Sequence, residues 1–146
     1  MKIKYIVSLT LLAVLGLVAV NANNQTETVG IDFYHGTFEE AKVKAKKEKK
    51  LIFIDAFTTW CGPCKIMAKK IFTQKIVGDY YNPNFINMKI DMEGSEGVFL
   101  AKKYKVTGYP TFLYVNSEGL LVTREMGMVD ANTFIDYGKK ANKAKK

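Results

Sequence analysis

The stretch Leu51-Ile52-Phe53-Ile54-Asp55-Ala56-Phe57-Thr58-Thr59-Trp60-Cys61-Gly62-Pro63-Cys64 passes from one backbone period to another. Its first seven residues are hydrophobic except for Asp55, the pattern of a central strand buried on both faces. Beyond Trp60 the spacing is helical to about Val77, with Cys64, Met67, Ala68 and Ile71 on one side. Cys61 therefore falls at a helix N-terminus, where unpaired amides and the helix dipole favour negative charge. A thiolate is stabilised there, which makes Cys61 the nucleophile. Cys64, one turn further on, is expected nearer the interior and less exposed, suited to attack a mixed disulfide at Cys61 and release the partner. Gly62 allows a close approach, and Pro63 fits the first turn, where its missing N–H costs nothing. Asp55, six residues before Cys61, faces buried surroundings that raise its pKa. It reads as a proton acceptor for Cys64 during resolution; the alternative is a solvated or capping residue at a strand end.

The flanking sequence supplies the other layers. Ile31–Tyr34 is a possible short strand. Thr37-Phe38-Glu39-Glu40 has the form of a capping box opening a helix to about Lys49, with Phe38, Ala41 and Ala45 as its apolar stripe. Phe85–Asp91 is strand-like, and Gly94 or Ser95 opens a helix through Tyr104. Thr111–Val115 and Leu120–Glu125 are strands joined by Asn116-Ser117-Glu118-Gly119, a hairpin turn with Gly where positive φ is needed. Asp130 caps a last helix through about Ala141. The order β, α, β, α, β, α, β, β, α predicts an α/β fold, a mixed sheet with helices on both faces. No repeat, low-complexity linker or second domain is visible.

The N-terminus differs in character. Lys2 and Lys4 precede the uncharged, mostly apolar run Ile6–Val20, and Val20-Asn21-Ala22 ends it on a small residue. That layout is a secretory signal peptide cleaved after Ala22, an uncleaved membrane anchor over residues 5–20 being the alternative. The chain divides into 1–22 signal peptide, 23–36 N-terminal extension, 37–142 globular domain and 143–146 basic tail. A bacterial periplasm suits an exported chain whose end, Lys143-Ala144-Lys145-Lys146, carries no lumenal retrieval signal.

At 146 residues, 48% hydrophobic and 25% charged, the chain is one globular domain. Cleavage would leave 20 basic against 14 acidic residues, a net charge of about +6. The excess is lysine along one helix and the tail, with a single Arg in the chain, which argues against nucleic acid. Acidic proteins or anionic surfaces are the partners such a balance attracts weakly. Two cysteines three positions apart cannot staple a fold, so their role is chemical. A zinc site needs four ligands and only His35 is available besides the cysteines. Haem attachment needs His where Lys65 stands. No metal and no cofactor is expected.

Trp60-Cys61-Gly62-Pro63-Cys64-Lys65, the upstream Asp55, Gly108-Tyr109-Pro110-Thr111 and Gly127 in Met126-Gly127-Met128 resemble the thioredoxin family in motif, order and spacing, from about Thr37 to Ala141. The resemblance implies the thioredoxin fold and a cis peptide between Tyr109 and Pro110, packed against the cysteines. It implies that the Tyr109 backbone pairs with an extended substrate chain. It further implies that Trp60 shields the site and that Gly127 lets a partner approach. Two positions depart from the pattern. Lys69 replaces a helix-kinking Pro, and Asn87 stands where a Lys often faces the buried Asp, with Lys89 two residues along on the same strand face.

Together with the leader, these features are similar to the exported members, among them the C-terminal domain of a membrane thiol reductase. The expected activity is reduction of disulfides in other extracytoplasmic proteins. Protein disulfides and dithiols are the expected substrates. A membrane-embedded electron donor is the expected partner, since no nucleotide-binding glycine motif is present. A thiol oxidase or isomerase of the same fold is the alternative, and a non-catalytic binding module a third reading.

Overall fold

The computed structural model describes residues 29–145. The leader and its cleavage point lie outside these residues. Ten elements follow one another: α1 (Phe38–Glu48), β1 (Leu51–Phe57), α2 (Gly62–Ile66), a π-helical turn (Met67–Ile71), α3 (Lys75–Asn84), β2 (Phe85–Asp91), α4 (Ser95–Tyr104), β3 (Thr111–Val115), β4 (Leu121–Met126) and α5 (Ala131–Ala144). The sheet order is β2-β1-β3-β4. β1 runs parallel to β2 and antiparallel to β3, which pairs antiparallel with β4. The chain has the α/β thioredoxin fold expected from its sequence.

Local chemistry sets the element ends. The Thr37 hydroxyl accepts from the Glu40 N–H while the Glu40 carboxylate accepts from the Thr37 N–H, a closed capping box. Asp130 accepts from the N–H groups of Asn132 and Thr133 to open α5. Gly119 closes the β3–β4 turn at φ +77°, where a side chain would be strained.

Central strands dominate the core because alternate side chains serve opposite faces. Ile52, Ile54 and Ala56 of β1 join Ile86, Met88, Ile90, Leu113 and Val115 under Phe38, Ala41, Leu100 and Tyr104. Leu51 and Phe53 turn the other way, with Phe85, Phe112 and Tyr114, against Met67, Phe72, Tyr81 and Phe134. Phe53 is the hub of that aromatic face, with ring contacts to Phe72, Tyr81, Phe112, Tyr114 and Phe134.

Three expectations are corrected. Ile31–Tyr34 is not a strand of the sheet. It is an extended strap whose Ile31 N–H donates to Phe72 O and whose Tyr34 N–H donates to Asn87 O. Too few backbone bonds form for a ladder, and side-chain amides supply the rest: Asn82 donates to Gly30 O and Asn87 to Asp32 O. Second, the active-site helix does not run to Val77. It ends after the π turn, and a separate helix, α3, which the sequence reading did not resolve, carries the chain from Lys75 to Asn84. Thr73 and Gln74 mark the break by turning their side chains onto the carbonyls of Lys69 and Lys70. Third, α5 continues to Ala144, so Lys143 belongs to the helix and not to a tail.

Candidate functional site

β1 delivers its last residues to the end of the sheet where Thr58 O accepts the Cys61 N–H at 3.2 Å. Cys61 is the N-cap of α2, with extended backbone, and its Sγ accepts the Cys64 N–H at 3.1 Å. That is the hydrogen bond expected of a sulfur at a helix start, and it would favour a thiolate on Cys61. Pro63 occupies the first turn, where no N–H is missed. Cys61 and Cys64 are joined as a disulfide, their Cα atoms 5.3 Å apart. Both residues are buried, 3% and 2% exposed. The expected difference in exposure is therefore absent, because bonded sulfurs share one environment. A side chain on Gly62 would meet nothing within contact distance, so any close approach it permits is to another molecule.

Asp55 is fully buried, and its Oδ2 accepts from the Lys89 ammonium at 2.6 Å. The parallel register sets Asp55 beside Lys89, which answers the absence of a Lys at position 87. Burial pushes the Asp55 carboxyl above the ordinary carboxylate range, outweighing the opposing pull of Lys89. Asp55 Oδ1, Thr58 Oγ1 and Asn87 Oδ1 are buried without a protein partner. A cavity of about 110 Å³ is lined by Thr58, Cys64, Lys65, Ala68 and Lys89, so the cysteine and the ammonium that holds Asp55 border the same space.

The remaining expected residues gather at this end of the sheet. The Tyr109–Pro110 peptide is cis, and the pairing of Ala56 with Thr111 sets it beside the β1 exit. Pro110 is buried, and its carbonyl accepts the Gly127 N–H at 2.9 Å, tying the two loops together. Gly127 has φ +96° and open space where a side chain would be. Trp60 is 64% exposed and meets Tyr109 edge to face at 5.8 Å between ring centroids.

Sequence reasoning overlooked Glu93, whose carboxylate accepts the Trp60 indole N–H at 2.9 Å. A signal was present: β1 and β2 are parallel, so the loop after Asp91 emerges beside the loop after Phe57. His35 is exposed just after the strap, and no group of three or more His, Cys, Asp or Glu among the described residues is placed to hold a metal.

A redox-active pair at a helix N-cap, beside a cis-proline loop on this sheet, defines a thiol–disulfide oxidoreductase. The comparisons agree. A family model described as "Thioredoxin-like domain" matches residues 38–142, and the chain belongs to that family. It is 34% identical over 90 residues to Thioredoxin-1 of Drosophila melanogaster, covering 62% of this chain and 74% of that one. It is 29% identical over 94 residues to the thiol:disulfide interchange protein DsbD of Pseudomonas fluorescens, covering 62% of this chain but only 16% of that protein. Among solved structures, a candidate disulphide-isomerase from Bacteroides thetaiotaomicron superposes with a TM-score of 0.70 at 46% identity, over 80% of this chain and 96% of the other. The oxidised C-terminal domain of Neisseria meningitidis DsbD gives 0.59 at 25% identity, over 70% and 90%. No helix among the described residues is long and apolar enough to cross a membrane.

Proposed function

We propose that this oxidoreductase is exported and reduces disulfides in other extracytoplasmic proteins. The exchange chemistry is supported by the asymmetric placement of the pair, with Cys61 Sγ capping α2 and Cys64 bordering the cavity shared with Lys89. Export and the reductive direction rest on the leader-like N-terminus and the similarity to DsbD. The Cys61 thiolate attacks one sulfur of the substrate disulfide, and the departing thiolate takes up a proton. Cys64 gives its proton towards Asp55, attacks Cys61 Sγ and expels the second substrate thiolate. Two electrons pass from the protein dithiol to the substrate disulfide, leaving Cys61–Cys64 oxidised. Trp60 covers the site, while Tyr109, Pro110 and Gly127 hold the substrate chain. Gly62 and Pro63 keep the approach to Cys61 open.

Residues 1–22 act as a cleaved signal peptide, residues 23–36 as an extension and residues 37–142 as the redox domain. The similarity to DsbD supports an extracytoplasmic site of action and recharging by a membrane-embedded donor. A second reading, isomerisation, is favoured by the 46% identity to a candidate disulphide-isomerase. Redox titration of the Cys61–Cys64 pair separates them. A potential of about −270 mV supports the reductase, whereas one of about −180 mV favours the isomerase and one of about −120 mV an oxidase. As a check on roles, Cys64→Ser is expected to trap mixed disulfides through Cys61. Trapping only by Cys61→Ser would reverse the assignment.

A further inference from the structure

The face of the active-site helix next to the disulfide joins two features that catalysis does not use. One is an apolar groove of about 270 Å³, lined by Ile66, Ile71, Met128 and Val129, with Lys70 and Asp130 at its edge. Ile66 is 41% exposed and Met128 51%, both too apolar to be left in water without cost. The other is charge. From Cys61 to Gln74 the chain carries Lys65, Lys69 and Lys70 and no acid, and all three lysines are exposed. No salt bridge among the described residues engages them; Lys42, Lys44, Lys75, Lys139 and Lys140 on other helices are paired. Lys46, Lys47, Lys102 and Lys103 are likewise in no salt bridge among the described residues, but they stand away from the disulfide in sequence and on other helices. Asp130, the one acid at the groove, is occupied in capping α5.

We propose that this surface docks an acidic segment of the partner protein. The partner would place an apolar side chain in the Ile66–Met128 groove and carboxylates against Lys65, Lys69 and Lys70. The inference rests on the disulfide-exchange reading above and names the substrate class for it. Its physical basis is complementarity. Lys70 borders the apolar cleft, Lys65 and Lys69 are exposed on the same helix, and such a run of ammonium groups accelerates encounter with carboxylates and disfavours basic chains. Lys69 is central. It fills the position at which the sequence departs from a helix-kinking proline, and it stands on the helix that begins at the attacking sulfur.

The test uses two disulfide-containing peptides alike except that Glu or Lys flanks the cysteines. Each is assayed with the reduced protein and, as the dithiol, with the oxidised protein. The Glu peptide is expected to react about tenfold faster than the Lys peptide at about 20 mM salt. The preference should fall towards unity at about 500 mM salt. Lys69→Glu/Lys70→Glu should erase the preference, and Lys65→Glu in addition should invert it, with far-UV circular dichroism checking that the variants fold. Equal rates for the two peptides at low salt overturn the proposal. So does a preference that the charge reversals leave intact. If only the dithiol peptides react, the reductase reading fails while the acidic preference is still read in the oxidising direction. Co-sedimentation with anionic but not neutral phospholipid vesicles, lost on charge reversal and accompanied by equal peptide rates, would assign the lysines to a membrane surface instead.

Discussion

The Lys89 ammonium lies 2.6 Å from the buried Asp55 carboxylate, on the neighbouring strand at the same register level. It also sits 4.1 Å above the centre of the Phe57 ring, so its charge is held from two sides. Burial still wins at Asp55, and its pKa is raised.

A carboxyl held above its unfolded value binds its proton more tightly in the native state, so stability falls as pH rises from that value through the folded one. Asp55→Asn removes this cost. The variant is expected to be more stable than the parent at neutral pH by about 1–3 kcal/mol, with the gain vanishing in acid. Its disulfide exchange should be slower by about 10²-fold, as for a lost proton acceptor. Urea unfolding at several pH values, beside single-turnover exchange rates, checks both arms.

Lys89→Gln deletes the only influence that holds Asp55 down. The pH profile of exchange is expected to move to higher pH, with the rate at neutral pH reduced about threefold to tenfold. An unmoved profile would show that Asp55 does not govern the rate.

Trp60 is the single tryptophan of the chain, so its emission reports the site alone. Glu93→Ala removes the acceptor of the indole N–H. Because the pair is exposed, stability should change by less than about 0.5 kcal/mol. Trp60 emission and its change on reduction of Cys61–Cys64 should nevertheless alter, read by steady-state fluorescence of the oxidised and reduced protein.

Tyr81 and Tyr114 test the aromatic face. The Tyr81 hydroxyl donates to Phe134 O at 2.7 Å, which leaves Tyr114 to donate to Tyr81 across 2.6 Å. Tyr81→Phe leaves the buried Tyr114 hydroxyl without its partner and removes a second bond to Phe134 O, which keeps its place in α5, and is expected to cost about 2–3 kcal/mol. Tyr114→Phe removes a donor but leaves Tyr81 bonded, and should cost about 1 kcal/mol. Denaturant midpoints at unchanged slope provide the comparison.

What could be read from the sequence was whatever depends on short-range chemistry. β1, β2 and β3 have the predicted bounds because unbroken apolar runs between turn residues admit little else. The capping residues Thr37 and Asp130 likewise stand where they were expected. The break between the active-site helix and α3 was not legible, since Thr73 and Gln74 interrupt the helix through bonds to carbonyls four residues back, and neither is a Gly or Pro. Glu93 was hidden for a different reason: its partner Trp60 lies 33 residues away, across a parallel pairing that only the assembled sheet reveals.

The strap from Gly30 to Tyr34 lies upstream of the residues matched by the family model, yet it is built into the domain. It bonds to the outer edge of β2 and enters under Gly78, where an added Cβ would come within 2.1 Å of Gly30 O. The unit of folding is thus longer than the span of the family model, and a chain begun at Thr37 would bare the β2 edge to pairing with other strands. The strap also joins the domain beside Phe72, about 15 Å along the helix from Cys61. The strap is thereby tied to the end of the active-site helix that lies away from Cys61.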